Sequence, residues 1–251
     1  MQKIKFDYSS IPAGFYDKVL LEESGIRSFW HYQKFDAVLR SLSSRKNGAI
    51  LDIGCSAGSF LNTLEKDQFS TQYGVDLAPD QIKYAQKYQT NFRKFLLIEN
   101  ANSLQQNFSE QYFDAITLIE VTEHLDSNEI NAIFSAAAKI LKTDGELVIT
   151  TPNYLSLWPI LEKLMAWFIK PSYEEQHITK FTYFNFAKKM REIYPDFDKN
   201  FTIEFQASSH FALFFLAAIS YKLAKYLSRF VGVKKWKMPF GALLVVKMRK
   251  I

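Results

Sequence analysis

The 251-residue sequence has a single cysteine, Cys55, so no intramolecular disulfide framework can staple the fold, and no Cys/His run has zinc-finger spacing. It also lacks an apolar run of the roughly 20 residues that a bilayer-crossing helix needs: the uninterrupted stretch Phe211 to Ile219 is far shorter. The opening residues, MQKIKFDYSSIPAGFYDK, show no apolar stretch of the secretory type, and with the lone cysteine this leads to the expectation of a reducing, cytoplasmic setting. Two phosphate-gripping signatures are absent as well, the long loop ending in Gly-Lys-Ser/Thr and the full G-x-G-x-x-G, which argues against a nucleoside triphosphate or a dinucleotide as ligand. Acidic residues disappear after Glu204, while nine Lys and Arg stand between Lys222 and Lys250. A net charge of only +5 therefore hides a basic C-terminal region facing a net acidic remainder.

What is present is a globular composition, 48% hydrophobic and 23% charged. From Ala49 onward, short apolar runs alternate with longer amphipathic stretches, the pattern of strand–helix units and a parallel sheet. The spacing predicts strands at Ala49–Ile53, Gln72–Asp76, Phe95–Ile98, Phe113–Ile119, Glu146–Thr151, Phe201–Ala207 and Ala242–Met248. Helices are expected at about Ser59–Lys66, Pro79–Thr90, Ser127–Leu141 and Tyr183–Ile193. The fold class is thus α/β, Rossmann-like: a seven-stranded, mostly parallel sheet with helices on both faces. Residues 1–47 read as a helical lead-in or lid, and residues 48–251 as the main domain, with apolar insertions at about 154–170 and 209–238.

Between the first strand and its helix stands Asp52-Ile53-Gly54-Cys55-Ser56-Ala57-Gly58-Ser59. Glycines here let the backbone turn tightly and bring main-chain N–H groups against a ligand. Asp76 closes the second strand, where a Rossmann-type site places an acid that accepts hydrogen bonds from ribose hydroxyls. Loop and acid together point to a nucleoside.

These residues resemble the class I S-adenosylmethionine (SAM) methyltransferases, with ILDIGCSAGSF, YGVDLAPDQIKYAQ, IENANSL, FDAITLIEVTEHL and ILKTDGELVITTPN as the successive motifs, and the likeness covers roughly Gly48 to Pro152. The resemblance implies SAM as cofactor: Asp52, Gly54, Cys55 and Gly58 around its amino-acid end, Asp76 on the ribose, Leu77, Asn100 and Ala101 near the adenine, and Ile119 and Glu120 beneath the methionine portion. It implies an antiparallel last strand too. Ser56 stands where the family usually has Gly, which requires that Ser56 avoid positive φ, and Asn100 stands where Asp is common. EVTEHL is similar to the E-V-x-E-H motif of ubiquinone-pathway O-methyltransferases and small-RNA 2′-O-methyltransferases. That likeness implies Glu120, Glu123 and His124 as ligands of a divalent ion such as Mg or Mn, converging if a helix has already begun at Glu120. His124, and His177 in EEQHITKFT, are the candidate proton-handling or substrate-positioning groups. His31 and His210 read as structural.

The basic, aromatic segment 209–238 and the run Trp158 to Phe168 flank the acceptor side. They suit a small or lipid-like acceptor and contact with an anionic membrane surface, making the protein peripheral to the membrane. Nucleic acid ranks below this, since the lysines neighbour a greasy run rather than spaced stacking aromatics. A 2′-O-methyltransferase of RNA and a non-catalytic cofactor-binding module are the competing readings.

Overall fold

In a computed structural model of the protein, residues 11–89, 92–165, 177–211, 213–230 and 238–251 are described. Seven strands form one sheet: β1 Arg45–Ile53, β2 Phe69–Asp76, β3 Arg93–Leu97, β4 Phe113–Ile119, β5 Leu141–Pro152, β6 Phe201–Ser209 and β7 Leu243–Lys250. Their spatial order is β3-β2-β1-β4-β5-β7-β6. β1 to β5 run parallel, and β7 lies antiparallel between β5 and β6. The order in which successive strands are added reverses between β1 and β4, so the crevice beyond their carboxyl ends is where such a sheet accepts ligands.

The central strands are apolar on both faces because helices cover both: Ile50, Leu51, Ala115, Ile116, Leu118, Leu147, Val148 and Ile149 have no exposed surface. Ahead of the sheet come α1 (Phe15–Leu21) and α2 (Gly25–Ser41). Between strands lie α3 (Pro79–Tyr88), opened by proline in its first turn, and the one-and-a-half-turn α4 (Asn102–Asn107). α5 (Ser127–Ile140) starts from a capping box: Asp126 accepts from the Asn128 and Glu129 N–H groups, and Glu129 accepts from the Asp126 N–H. After β5 come α6 (Trp158–Met165), α7 (Phe186–Ile193) and α8 (Phe197–Asn200), and between β6 and β7 come α9 (Leu213–Ile219) and α10 (Tyr221–Ser228).

The expected helix over 59–66 is a single 3-10 turn, Leu61–Thr63. Its reason is Arg93, a buried guanidinium on β3 that donates to the carbonyls of Leu61 and Leu64 at 2.9 Å each; it bonds those carbonyls from the side, and Leu64 turns to an extended backbone. Parts of the two expected apolar insertions, 166–170, 212 and 231–237, lie outside the described residues. A small cluster of Phe29, Ala217, Tyr221 and Ala224 fastens α9 and α10 onto α2.

Candidate active site

Gly54 begins the loop after β1 at φ +77°, and a Cβ there would stand 2.4 Å from a Val121 methyl, so the position needs glycine for both conformation and space. The Gly54 and Cys55 N–H groups donate to the Val75 carbonyl, at 2.8 and 3.0 Å, which fixes the loop over the end of β2. Ser56 then takes φ +48°, contrary to the requirement that a non-glycine residue avoid that region. Its N–H donates to Asp76 Oδ2 at 2.7 Å while the Ala78 N–H donates to Oδ1 at 2.8 Å. The carboxylate is thus oriented by two backbone donors at the cavity wall, and burial raises its pKa despite them. Left-handed backbone at Ser56 is what turns its N–H toward that acid.

Asp52, beneath the loop, is fully enclosed and accepts from Thr117 Oγ1 at 2.7 Å; burial pushes its carboxyl up to about 7. Gly58 also has φ +77°, but it does not line the cavity: a Cβ would sit 2.6 Å from the Phe95 ring, so its role is close packing of the loop on β3. Leu77, Asn100 and Ala101 lie together at one side of the cavity, and Asn100 Oδ1 already accepts from the Asn102 N–H at 2.9 Å. Ile119 and Glu120 form the floor at the end of β4.

Glu120 does not join a metal-ligand trio with Glu123 and His124. The helix expected from Glu120 has not begun: that residue stands at φ +54°, and one 3-10 turn, Thr122–His124, follows. Its carboxylate pairs instead with the buried Lys34 ammonium of α2. Burial would raise the Glu120 pKa, yet Lys34 outweighs it and holds the group at about 2.

The partner that Glu123 and His124 do find is His177, far along the chain. Ile178 and Thr179 donate backbone N–H bonds to the Glu123 carbonyl, at 2.7 and 3.1 Å, and Thr179 Oγ1 donates to the Leu125 carbonyl at 2.7 Å. These bonds place the two imidazole rings 5.1 Å apart, with the Tyr154 hydroxyl 2.8 Å from His177 Nδ1. Donor atoms of Glu123, His124 and His177 all lie within 4.8 Å of one another. Glu123 is enclosed, burial raises its pKa well above the ordinary carboxyl range, and its Oε2 has no hydrogen-bond partner among the described residues. That donor set suits a cation.

The Gly54–Ser56 loop, Asp76, Glu120, Glu123, His124 and His177 face one cavity of about 1190 Å³, larger than the roughly 300–1,000 Å³ of usual ligand pockets. Its other wall is formed by Tyr16, Trp30 and Phe35 of α1 and α2, in the lead-in, and by Trp158 and Phe215 from the two segments expected to flank the acceptor side. His31 belongs to this wall too, and burial drives its imidazole down to about 3. His210, by contrast, is structural as expected: its Nε2–H donates to the Trp30 carbonyl at 2.9 Å and its Nδ1 accepts from Ser209 Oγ. Lys34, Trp30 and His31 were missed in the sequence because no motif marks them; a lysine four residues before Val38, both buried on α2, was the one available signal.

Comparison with known proteins gives the same picture. A family model described as a methyltransferase domain matches residues 26–193. An uncharacterised protein of Methanocaldococcus jannaschii is 31% identical over 126 residues, 50% of each chain. The ubiquinone biosynthesis O-methyltransferase of Bartonella quintana is 27% identical over 147 residues, 56% of this chain and 58% of that one. The chain spans about half the length of these curated relatives. Geranyl diphosphate C-methyltransferase from Streptomyces coelicolor A3(2), solved with Mg2+, geranyl diphosphate and S-adenosyl-L-homocysteine, superposes with a TM-score of 0.60 over 96% of this chain and 86% of that one, at 15% identity, a likeness of fold. With most of its length inside the family model, a nucleoside-type loop after β1 and a seven-stranded sheet whose last strand is antiparallel, the chain belongs to the methyltransferase-domain family, in the class I SAM-dependent group.

Proposed function

We propose that the protein transfers the methyl group of SAM to a hydroxyl oxygen on an acceptor with an apolar, lipid-like body. The observation that carries this is the continuity of one cavity: the Ser56–Asp76 cradle, the His124–His177 pair and the aromatic wall are parts of a single space. Asp76 would hold the ribose, carbonyls of the Gly54–Ser56 loop, whose N–H groups are bonded within the protein, the ammonium of the amino-acid end, and Leu77, Asn100 and Ala101 the base. When bound, SAM supplies a methyl group already activated on a sulfonium, so the protein's task is alignment. The aromatic wall excludes water and seats the acceptor with its hydroxyl toward the loop. His124 receives the proton that this hydroxyl gives up, a role imidazole suits near neutral pH. The name of the ubiquinone-pathway relative supports oxygen as the acceptor atom.

The test is thermal denaturation with SAM or S-adenosylhomocysteine. Either compound is expected to raise the melting temperature of the protein, and Asp76→Ala to remove the shift. A wild-type protein indifferent to both compounds overturns the reading.

A second reading concerns a cation. Glu123, His124 and His177 would hold a divalent ion, supported by the unpartnered Glu123 Oε2 and the close donor set. Such an ion would acidify a hydroxyl bound to it. Mn2+ added after chelation is expected to stabilise the wild type and to leave His177→Gln unchanged; equal responses from both proteins would retire the idea.

A further inference from the structure

α10 has two apolar faces, and folding uses only one. Tyr221, Ala224 and Ser228 point inward, where Tyr221 meets Phe29 of α2 edge-on at 6.0 Å. Leu223, Tyr226 and Phe230 recur at three and four residue intervals on the opposite side, exposed, with the rings of Tyr226 and Phe230 5.6 Å apart. Ile219, at the end of α9, is 86% exposed and extends the same row in sequence. Soluble proteins seldom leave aliphatic and aromatic side chains grouped in water on short adjacent helices without a partner.

The charged residues of α10 itself and its C-terminal end are all cations. Lys222 and Arg229 are exposed beside it, whereas Lys225 turns away into an ion pair with Glu23 at 2.7 Å. No acidic residue occurs in the sequence after Glu204. We infer that the outward face of α9 and α10 docks on an anionic lipid surface, with Leu223, Tyr226 and Phe230 in the interface and Lys222 and Arg229 on the headgroups. The chemistry fits an interfacial helix: aliphatic and aromatic residues on one side, cations along its edge, and too little length to span. Among the described residues no helix is long and apolar enough to cross a membrane. A symmetric pairing of two copies through the same face would instead bring Lys222 and Arg229 against their own kind with no acid on α9 or α10 to offset them. Phe215 of α9 is half exposed and also lines the cavity, so the docking face continues to the cavity mouth. Direct delivery of a lipid-borne acceptor through that mouth follows if the methyl-transfer reading holds; the docking itself does not depend on it.

Vesicle flotation with the full chain tests this, using phosphatidylcholine alone against phosphatidylcholine with phosphatidylglycerol. The protein is expected to float with the anionic vesicles and to be released by salt. Lys222→Glu with Arg229→Glu, and separately Ile219→Ser with Phe230→Ser, are each expected to lower partitioning at least about tenfold. The SAM-induced thermal shift is expected to persist in both double variants, which shows that they are folded. Equal flotation with neutral and anionic vesicles, or partitioning untouched by either pair of substitutions, overturns the proposal. So does a stable dimer by light scattering that Ile219→Ser with Phe230→Ser dissolves while vesicles are ignored. Flotation that persists in a protein indifferent to SAM upholds docking and removes only the methyl-transfer reading.

Discussion

Asp52 shows how a single side chain can be kept at a cost to stability. It accepts one hydrogen bond, from Thr117, yet burial lifts its carboxyl to about 7 against an ordinary value of 3.8. Because the folded value is the higher one, this group's favourable contribution is full below about pH 4 and is lost as pH rises through about 7. Asp52→Asn keeps the acceptor for Thr117 and cannot ionise. Its stability advantage over the wild type is therefore expected to be small near pH 4, to grow with pH, and to level off above pH 7 at on the order of 4 kcal/mol. Denaturant titrations at several pH values measure this, and a gap that is flat with pH would refute it. Ser56 and Glu120 carry a comparable local penalty in backbone form, at φ +48° and +54°, and both stand at the cavity wall.

At the scale of elements, α2 is part of the site. Trp30, His31, Lys34 and Phe35 line the cavity, and the Lys34–Glu120 pair ties the helix to the end of β4. The sign of the linkage is opposite to that of Asp52: with Glu120 held at about 2, the pair's contribution is present above pH 4.5 and lost only as pH falls through about 2. Lys34→Met leaves a mostly buried carboxylate without its counter-charge. Since the Glu120 side chain keeps 22% of its surface exposed, the expected loss is about 2–3 kcal/mol, somewhat below that of a fully buried pair. Adding Glu120→Gln is expected to recover much of it. A Lys34→Met protein as stable as the wild type in urea would show that the clamp contributes nothing.

For the molecule as a whole, the binding sites and the stability are one system, since a ligand that fills the cavity acts on the entire cooperative unit. SAM at about 100 times its dissociation constant would add about 2.7 kcal/mol, or roughly 5–10 °C for a domain of this size. The sequence by itself determined the sheet: seven apolar runs of the right length and the helices between them specify strand count and order of elements, because hydrophobic periodicity is local and repeats along the chain. Gly54, Asp52 and Asp76, which line the cavity, were legible too, because they stand within or beside one strand–turn unit. Only the tertiary structure decided the rest. Arg93 converting an expected helix to a 3-10 turn, Lys34 claiming Glu120, His177 arriving beside His124, and Gly58 packing on Phe95 instead of lining the cavity are all contacts between residues distant in sequence. No local period encodes them, because they depend on which elements the closed sheet brings face to face.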